Sequence, residues 1–256
     1  MKDFVRTLLI KISRTISRII FYVFRIFEIM KDHIIPVELQ KKGVGNLNSQ
    51  LKIRLEDNLV DETIDSFQEH FKNSVLFYDE WSIREHAIKT SLSNDKNKEY
   101  YYLEFGVWKG SSANFFSKYL KVLYCFDSFE GLKEDWSGTS LQKGNFNLNK
   151  KVPKLKSNVK PIKGWVEDTL DKFLIEHNPK INFIHLDMDT YRSTKFTLEK
   201  LKPYLVKNCT VLFDQLYNYI GWEGGEYRAL REVFKEEEFE YISFAINSKQ
   251  SAVKIK

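Results

Sequence analysis

The sequence predicts an α/β fold built on a mostly parallel sheet, preceded by a helical N-terminal extension. Three observations predict this class: strand-like apolar runs that end in acidic residues, a glycine turn that leads from one run into a helix, and helical spacing between the runs. Strands that alternate with helices are typical of βαβ units, in which each helix connects two parallel strands. The carboxyl ends of such strands meet at one edge of the sheet, where ligands bind.

The first strand with a chemical signature covers residues 101–105 and runs into a glycine turn. Gly106 and Gly110 lack a Cβ where the backbone must bend sharply and approach a ligand, and Ser111 and Ser112 begin the next helix. The spacing Glu-x-Gly-x-x-x-Gly, which starts at Glu104, differs from the Gly-x-Gly-x-x-Gly of dinucleotide sites. A nicotinamide-dependent dehydrogenase is therefore the less favoured reading of this turn.

Three further strand-like runs also end in acids. Residues 122–126 lead into Asp127, residues 181–186 into Asp187 and Asp189, and residues 210–213 into Asp214. Each acid alone could cap the following helix. Together they predict one carboxylate-lined edge, and the acid about twenty residues after the glycine turn suits the two hydroxyls of a ribose.

The last two apolar runs, residues 241–246 and 251–255, are separated by the polar turn 247–250. This pattern predicts an antiparallel hairpin that closes one side of the sheet.

The N-terminal extension carries the net charge of the chain, which is +5. Residues 1–31 contain seven Lys or Arg and two acids, and at helical spacing the basic residues lie opposite an apolar stripe. This amphipathic helix predicts peripheral contact with the inner face of a membrane. Its uncharged runs are far shorter than the roughly 20 residues of a spanning helix. Packing on its own domain, or on a second subunit of a homo-oligomer, fits the stripe equally well.

Charge and cysteine content exclude other classes. Beyond residue 31 basic and acidic residues balance, so we expect no nucleic-acid partner. Cys125 and Cys209 lie in strand-like segments and are typical of a reduced, cytoplasmic protein. We expect a basic helical arm over residues 1–35, a helical cap over 36–98 and a ligand-binding core over 99–256.

Several motifs together resemble the class I S-adenosylmethionine-dependent methyltransferases, and within them the macrocin O-methyltransferase-like branch, which methylates sugar hydroxyls. The resemblance spans about residues 100–234 and is carried by Glu104–Ser112, Phe126-Asp127-Ser128-Phe129-Glu130-Gly131-Leu132, Gly164–Leu170, His185-Leu186-Asp187-Met188-Asp189-Thr190-Tyr191-Arg192-Ser193-Thr194, Phe213-Asp214-Gln215 and Gly221-Trp222. It implies a Rossmann-like, seven-stranded, mostly parallel sheet with an antiparallel C-terminal hairpin. It also implies S-adenosylmethionine as the cofactor.

The resemblance further implies the residues that hold the cofactor. Glu104, Gly106 and Gly110 would hold its methionine end, Asp127 its ribose, and Asp168 or a neighbouring backbone group its adenine. The full implied set is Glu104, Gly106, Gly110, Ser111, Ser112, Asp127, Ser128, Phe129, Gly164, Asp168 and Asp187.

Members of this branch usually place a second acid after the aspartate that follows the fifth strand, and here that position holds Gln215. The implied Mg²⁺ ligands, Asp187, Asp214 and Gln215, therefore carry one negative charge fewer. Two alternatives stay open. Either a metal polarises the acceptor hydroxyl while Asp189 takes its proton, or Asp189 or His185 acts without a metal. His185 also fits a satisfied core histidine, because it lies within an apolar run.

The sequence thus predicts an O-methyltransferase that acts on a sugar hydroxyl of a glycan or glycosylated metabolite. The alternative from another class is a non-catalytic protein with the same fold that binds a partner.

Overall fold

The computed structural model describes residues 47–97 and 99–256. The predicted basic arm, residues 1–35, lies outside them, as does the beginning of the predicted helical cap. The chain divides into two compact units, Met1–Asn58 and Leu59–Lys256. In the first unit, Lys52 and Glu56 lie one helical turn apart, with 3.7 Å between Nζ and Oε1.

The second unit contains a mixed α/β sheet with a single antiparallel strand. Its strands are β1 (Val75–Phe77), β2 (Tyr101–Phe105), β3 (Leu123–Asp127), β4 (Val159–Lys163), β5 (Ile181–Leu186), β6 (Leu205–Phe213), β7 (Phe239–Ala245) and β8 (Ser251–Ile255). They are ordered β1-β7-β8-β6-β5-β2-β3-β4 among the described residues. All neighbours pair in parallel except those of β8, which is antiparallel to both β6 and β7.

Helices connect these strands and cover the sheet. They are α1 (Leu47–Lys72), α2 (Glu80–Asn94), α3 (Ser111–Phe116), α4 (Val166–His177), α5 (Tyr191–Leu201) and α6 (Glu226–Val233). Local chemistry fixes several of their ends. Asp79 caps α2 by accepting hydrogen bonds from the amides of Trp81 and Ser82 at 3.0 and 2.9 Å. Asn178 ends α4 in the left-handed conformation that asparagine tolerates.

The central strand β5 is buried along its whole length, as expected for a parallel strand with helices on both faces. On one face of the sheet, the ring of Phe67 packs within a cluster of aromatic side chains. Its ring centre lies 5.5 Å from Tyr217, 5.3 Å from Trp222 and 5.7 Å from Phe244. This cluster anchors the second half of α1 to the C-terminal strands.

The predicted mixed sheet and C-terminal hairpin are confirmed, with one strand more than the seven expected. The additional strand is β1, which pairs with β7 at the sheet edge within a segment expected to be helical. It has three residues, and Val75 and Leu76 are largely exposed. Such a short strand without alternating burial gives no periodic signal in the sequence.

The strand order places a crevice between β2 and β5. From β2 the chain continues to β3 on one side, whereas β5 and β6 lie on the other. Ligands of open α/β sheets bind at such a switch point, outside the carboxyl ends of the strands.

Within residues 47–97 and 99–256, no helix has the length and apolar character that a membrane span requires.

Replacing Phe67 by alanine tests the aromatic cluster. Since Phe67 is 1% exposed, we expect Phe67→Ala to lower the free energy of unfolding by about 3–5 kcal/mol in urea denaturation. Tyr78→Ala removes an aromatic ring that is 72% exposed and serves as the control, with an expected change within about 0.5 kcal/mol. Equal losses in both variants would contradict the cluster's role.

Candidate active site

A cavity of about 420 Å³ lies at the carboxyl ends of β2, β3, β5 and β6. Its walls combine the glycine turn after β2, acids at the strand ends and four tryptophans: Trp81, Trp108, Trp136 and Trp165. Apolar walls with a few convergent polar groups are typical of small-molecule sites.

The glycine turn forms the floor of this cavity. Gly106 has a φ of +87°, and a Cβ on it would lie 1.8 Å from the carbonyl oxygen of Asp187. Only glycine permits this approach of the turn to the end of β5. Gly110, with a φ of +79°, begins α3, and Ser111 and Ser112 line the cavity.

Asp127, at the end of β3, ties the turn to the neighbouring loop. Its Oδ2 accepts hydrogen bonds from the amides of Val107 and Trp108 at 2.7 and 2.8 Å, and its Oδ1 accepts one from Phe129 at 2.6 Å. Trp108 and Phe129 both have positive φ angles, a conformation that costs free energy in residues other than glycine. The carboxylate therefore holds two strained residues in place, and about one of its four acceptor positions remains for a ligand.

The structure brings together most of the cofactor residues that the resemblance implies. Those that line the cavity are Gly106, Ser111, Ser112, Asp127, Ser128, Gly164 and Asp187. Glu104, Gly110, Phe129 and Asp168 do not line it. Phe129 is a buried core residue, and Asp168 lies in the first turn of α4.

Glu104 points away from the cavity into a buried chain of charged groups. Its Oε1 lies 3.0 Å from Nδ1 of His185, and Nε2 of His185 lies 3.3 Å from Oδ1 of Asp214. Glu104 and His185 are completely buried. The predicted base His185 thus has both ring nitrogens engaged and does not line the cavity.

Two carboxylates decide the protonation of this histidine. Burial alone would lower the pKa of His185, but its hydrogen bonds to Asp214 and Glu104 outweigh burial and raise the pKa to about 9. Burial likewise opposes ionisation of Asp214. The hydrogen bond and charge of His185, together with the charge of Arg84, outweigh burial and lower the pKa of Asp214 to about 2.

The two acids of the Asp-x-Asp motif, Asp187 and Asp189, lie at the cavity. Their pKa values are raised, whereas that of Asp214 is lowered. Burial raises the pKa of Asp187 to about 7, and the charge of Asp214 adds to the effect. Burial also raises the pKa of Asp189 well above its ordinary value, with contributions from Asp187 and Asp214. Asp189 has a φ of +64°, a strained backbone conformation, and it is 7% exposed, so its carboxyl group is poorly hydrated.

Arg84 is a further residue of the site, and no sequence motif indicates it. This residue of α2 is 6% exposed, lines the cavity and donates from Nη2 to Oδ1 of Asp214 at 2.8 Å. Its helical spacing with Ala87, Ile88 and Ser91, which form the buried side of α2, is the sequence feature that could indicate a buried position. A cation at such a position requires a partner.

The spacing of the acids would allow a metal ion, but their hydrogen bonds do not. Ligand atoms of His185, Asp187 and Asp214 all lie within 4.8 Å of one another. However, the amide nitrogen of Gln215, not its oxygen, faces the carboxylates, at 2.7 Å from Oδ2 of Asp214 and 3.4 Å from Oδ1 of Asp187. Mg²⁺ requires oxygen ligands, so this donor set does not fit the ion.

The comparisons with known proteins agree with the fold. Residues 103–216 match the family model described as a methyltransferase domain. The calicheamicin methyltransferase CalS11 is 21% identical, with a TM-score of 0.57 over 68% of this chain and 77% of that protein. The O-methyltransferase NovP is 19% identical, with a TM-score of 0.50 over 69% of this chain and 79% of that protein. No curated protein matches the chain significantly in sequence.

The sheet, the glycine turn at the switch point and the matched segment have the fold of a class I methyltransferase. Residues 103–216, which contain the turn and all the acids at the strand ends, form its methyltransferase domain. The protein is an S-adenosylmethionine-dependent enzyme of this class.

The close approach at Gly106 can be tested against a matched glycine. Gly106→Ala should abolish binding of S-adenosylhomocysteine in calorimetry, because the new methyl group meets the backbone of Asp187. Gly144→Ala is the control, since Gly144 has a φ of +86° but a Cβ there has nothing within 4 Å. Both substitutions carry the left-handed cost of roughly 1–2 kcal/mol, so only the clash differs. Retained binding in Gly106→Ala would show that the turn does not position the cofactor.

Proposed function

We propose that this enzyme transfers the methyl group of S-adenosylmethionine to a sugar hydroxyl in a glycan or glycosylated metabolite. The observation that carries the proposal is Asp189, a buried acid in a fixed backbone conformation on the wall of a tryptophan-lined cavity. The apo structure of CalS11 is described as a TDP-rhamnose 3′-O-methyltransferase, and this likeness in fold supports a sugar acceptor.

The cofactor would lie along the turn after β2. Gly106, Ser111 and Ser112 are placed to contact its methionine end, where backbone and hydroxyl groups face the cavity. Asp127 and Ser128 lie at the end of β3, where the ribose binds in this class of sheet. Gly164 lies beyond them on the adenine side, with Trp165 beside it.

Asp189 would act as the general base. The acceptor oxygen forms a bond to the methyl carbon while the carbon–sulfur bond breaks, and the electron pair of that bond stays on sulfur. The hydroxyl proton passes to the carboxylate of Asp189, and S-adenosylhomocysteine and the methyl ether are the products. Burial raises the pKa of Asp189, which makes its carboxylate a stronger base.

The tryptophans suit a sugar as the acceptor. Trp81 and Trp108 are 39% and 43% exposed although they line the cavity, and a cation lies over each ring, Arg84 at 4.7 Å and Lys109 at 4.4 Å, so only part of each ring is accessible to a ligand. Trp136 also lines the cavity but is 7% exposed. Aromatic rings that stack on a sugar face are a usual element of such recognition.

Magnesium, implied by the resemblance, has no step in this reaction, because the amide nitrogen of Gln215 and the donors around Asp214 oppose it. The acids that the resemblance assigns to a metal would instead shape the acceptor end.

Asp189→Asn removes the basic oxygen but keeps the backbone, because asparagine tolerates the left-handed conformation. We expect turnover to fall by a factor on the order of 10²–10⁴, with binding of S-adenosylhomocysteine retained. The assay measures the mass increase of candidate glycans and glycosylated small molecules incubated with the methyl donor. Asp171→Asn makes the same change at an acid that pairs on the surface with Lys200 at 2.8 Å and should leave turnover unchanged. Full activity of Asp189→Asn would remove the base assignment.

We also propose that residues 1–31 bring the enzyme to an anionic membrane surface, near lipid-linked acceptors, on the basis of their charge pattern alone. Deleting residues 1–31 should abolish flotation with liposomes that contain anionic lipid, while the intact chain floats. Flotation of the truncated chain to the same extent would contradict this role.

A further inference from the structure

We propose that Arg84 is the cation of this active site, and that the enzyme transfers its methyl group without a divalent metal. The inference rests on the proposed methyl transfer and deepens it. The permanent positive charge of Arg84, on α2, would lie next to Asp214 and Asp187, where a metal ion would otherwise bind.

Protein donors already occupy most of the carboxylate of Asp214. Four side chains donate to its carboxylate: Arg84 at 2.8 Å, His185 at 3.3 Å and Gln250 on Oδ1, and Gln215 at 2.7 Å on Oδ2. Each carboxylate oxygen has about two acceptor positions, so the three donors saturate Oδ1, whereas Oδ2 accepts from Gln215 alone. A metal ion could bind Oδ1 only by displacing a donor, and at Oδ2 it would meet the amide nitrogen of Gln215.

The side-chain amide of Gln215 presents its nitrogen to two carboxylates. Its nitrogen lies between Asp187 and Asp214 and donates toward both, so its hydrogens point into the space that a bridging ion requires. The adjacent backbone is fixed as well, because the amide of Gln215 donates to the buried carboxylate of Glu226 at 3.0 Å. An amide donor between two carboxylates stabilises them without any ion.

Neighbouring side chains hold Arg84 in place. Its Nη1 lies 3.5 Å from Oε1 of Glu80, and its guanidinium group lies 4.7 Å from the ring centre of Trp81. These contacts come from one helix, and the salt bridge to Asp214 joins that helix to β6. Arginine keeps its charge under all conditions in which the protein is folded.

The consequence for the reaction follows from the position of Arg84. It lines the same cavity as Asp187 and Asp189, and its charge acts on Asp187, so it would also act on an acceptor oxygen bound beside these acids. A fixed cation in a poorly hydrated site stabilises negative charge that develops on that oxygen. Arg84 would thus supply the electrostatic part of what a metal ion supplies in related chemistry.

The experiment measures Mn²⁺ binding by electron paramagnetic resonance and turnover in the presence of a chelator. For the unmodified enzyme we expect no bound Mn²⁺ signal at stoichiometric metal and the same turnover with and without chelator. A stoichiometric bound signal, or loss of turnover on chelation, would overturn the proposal. The metal measurement does not depend on turnover, so failure to methylate any acceptor would count against the proposed function and not against this inference.

Two variants sharpen the test. Gln215→Asp replaces the bridging donor with a ligand oxygen and should create Mn²⁺ binding, whereas its failure to do so would show that Gln215 does not control the site. Arg84→Met should lower turnover by a factor on the order of 10² that added Mn²⁺ does not restore, and Arg84→Lys, which keeps the charge, should recover part of it. Unchanged turnover in Arg84→Met would overturn the role of Arg84.

Arg228→Met is the matched control, because Arg228 pairs with Glu232 on the exposed side of α6 at 2.7 Å. It should leave both turnover and metal binding as they are in the unmodified enzyme.

Discussion

The carboxylate of Asp214 is the interaction on which the rest of the site depends. Its partners come from α2, from β5 and from the residue just before β8, and through His185 it also reaches Glu104 on β2. A buried charge is tolerated only if it is paired and fully hydrogen-bonded, so these elements must assemble together. The cluster therefore fixes the relative positions of the strand ends that form the cavity. Loss of one partner would leave an uncompensated charge next to the place of reaction.

A second constraint acts at the other end of the cavity, through Asp127. Its three bonds to backbone amides do not recognise a ligand directly. They hold the turn after β2 and the start of the loop after β3 in conformations that these residues would not adopt alone. The side of the cavity formed by the glycine turn thus depends on backbone geometry, and the side next to Asp214 depends on the pairing of charges.

The sequence could predict the parts of this structure that arise from local patterns. The acidic strand ends, the glycine turn and the C-terminal hairpin each depend on neighbouring residues, and the sheet contains all three. Arg84 and Asp214, by contrast, are 130 residues apart, and no local pattern connects them. The same holds for Glu104 and His185, which are 81 residues apart, so a carboxylate expected to face the cofactor instead pairs with a histidine inside the core. Whether a side chain at a strand end faces the cavity or the interior depends on packing that a single sequence does not contain.

The position of β8 within the sheet has a consequence for how the molecule is made. This strand is the last in chain order, yet it lies between β6 and β7, and Gln250 just before it completes the bonds to Asp214. During synthesis on the ribosome, β1 and β7 therefore have no edge to join until β8 emerges, and a nascent chain that already contains the whole glycine turn still lacks a finished charge cluster. The charge cluster beside the cavity therefore depends on the pairing of β8 with β6, although most residues that line the cavity come much earlier in the chain.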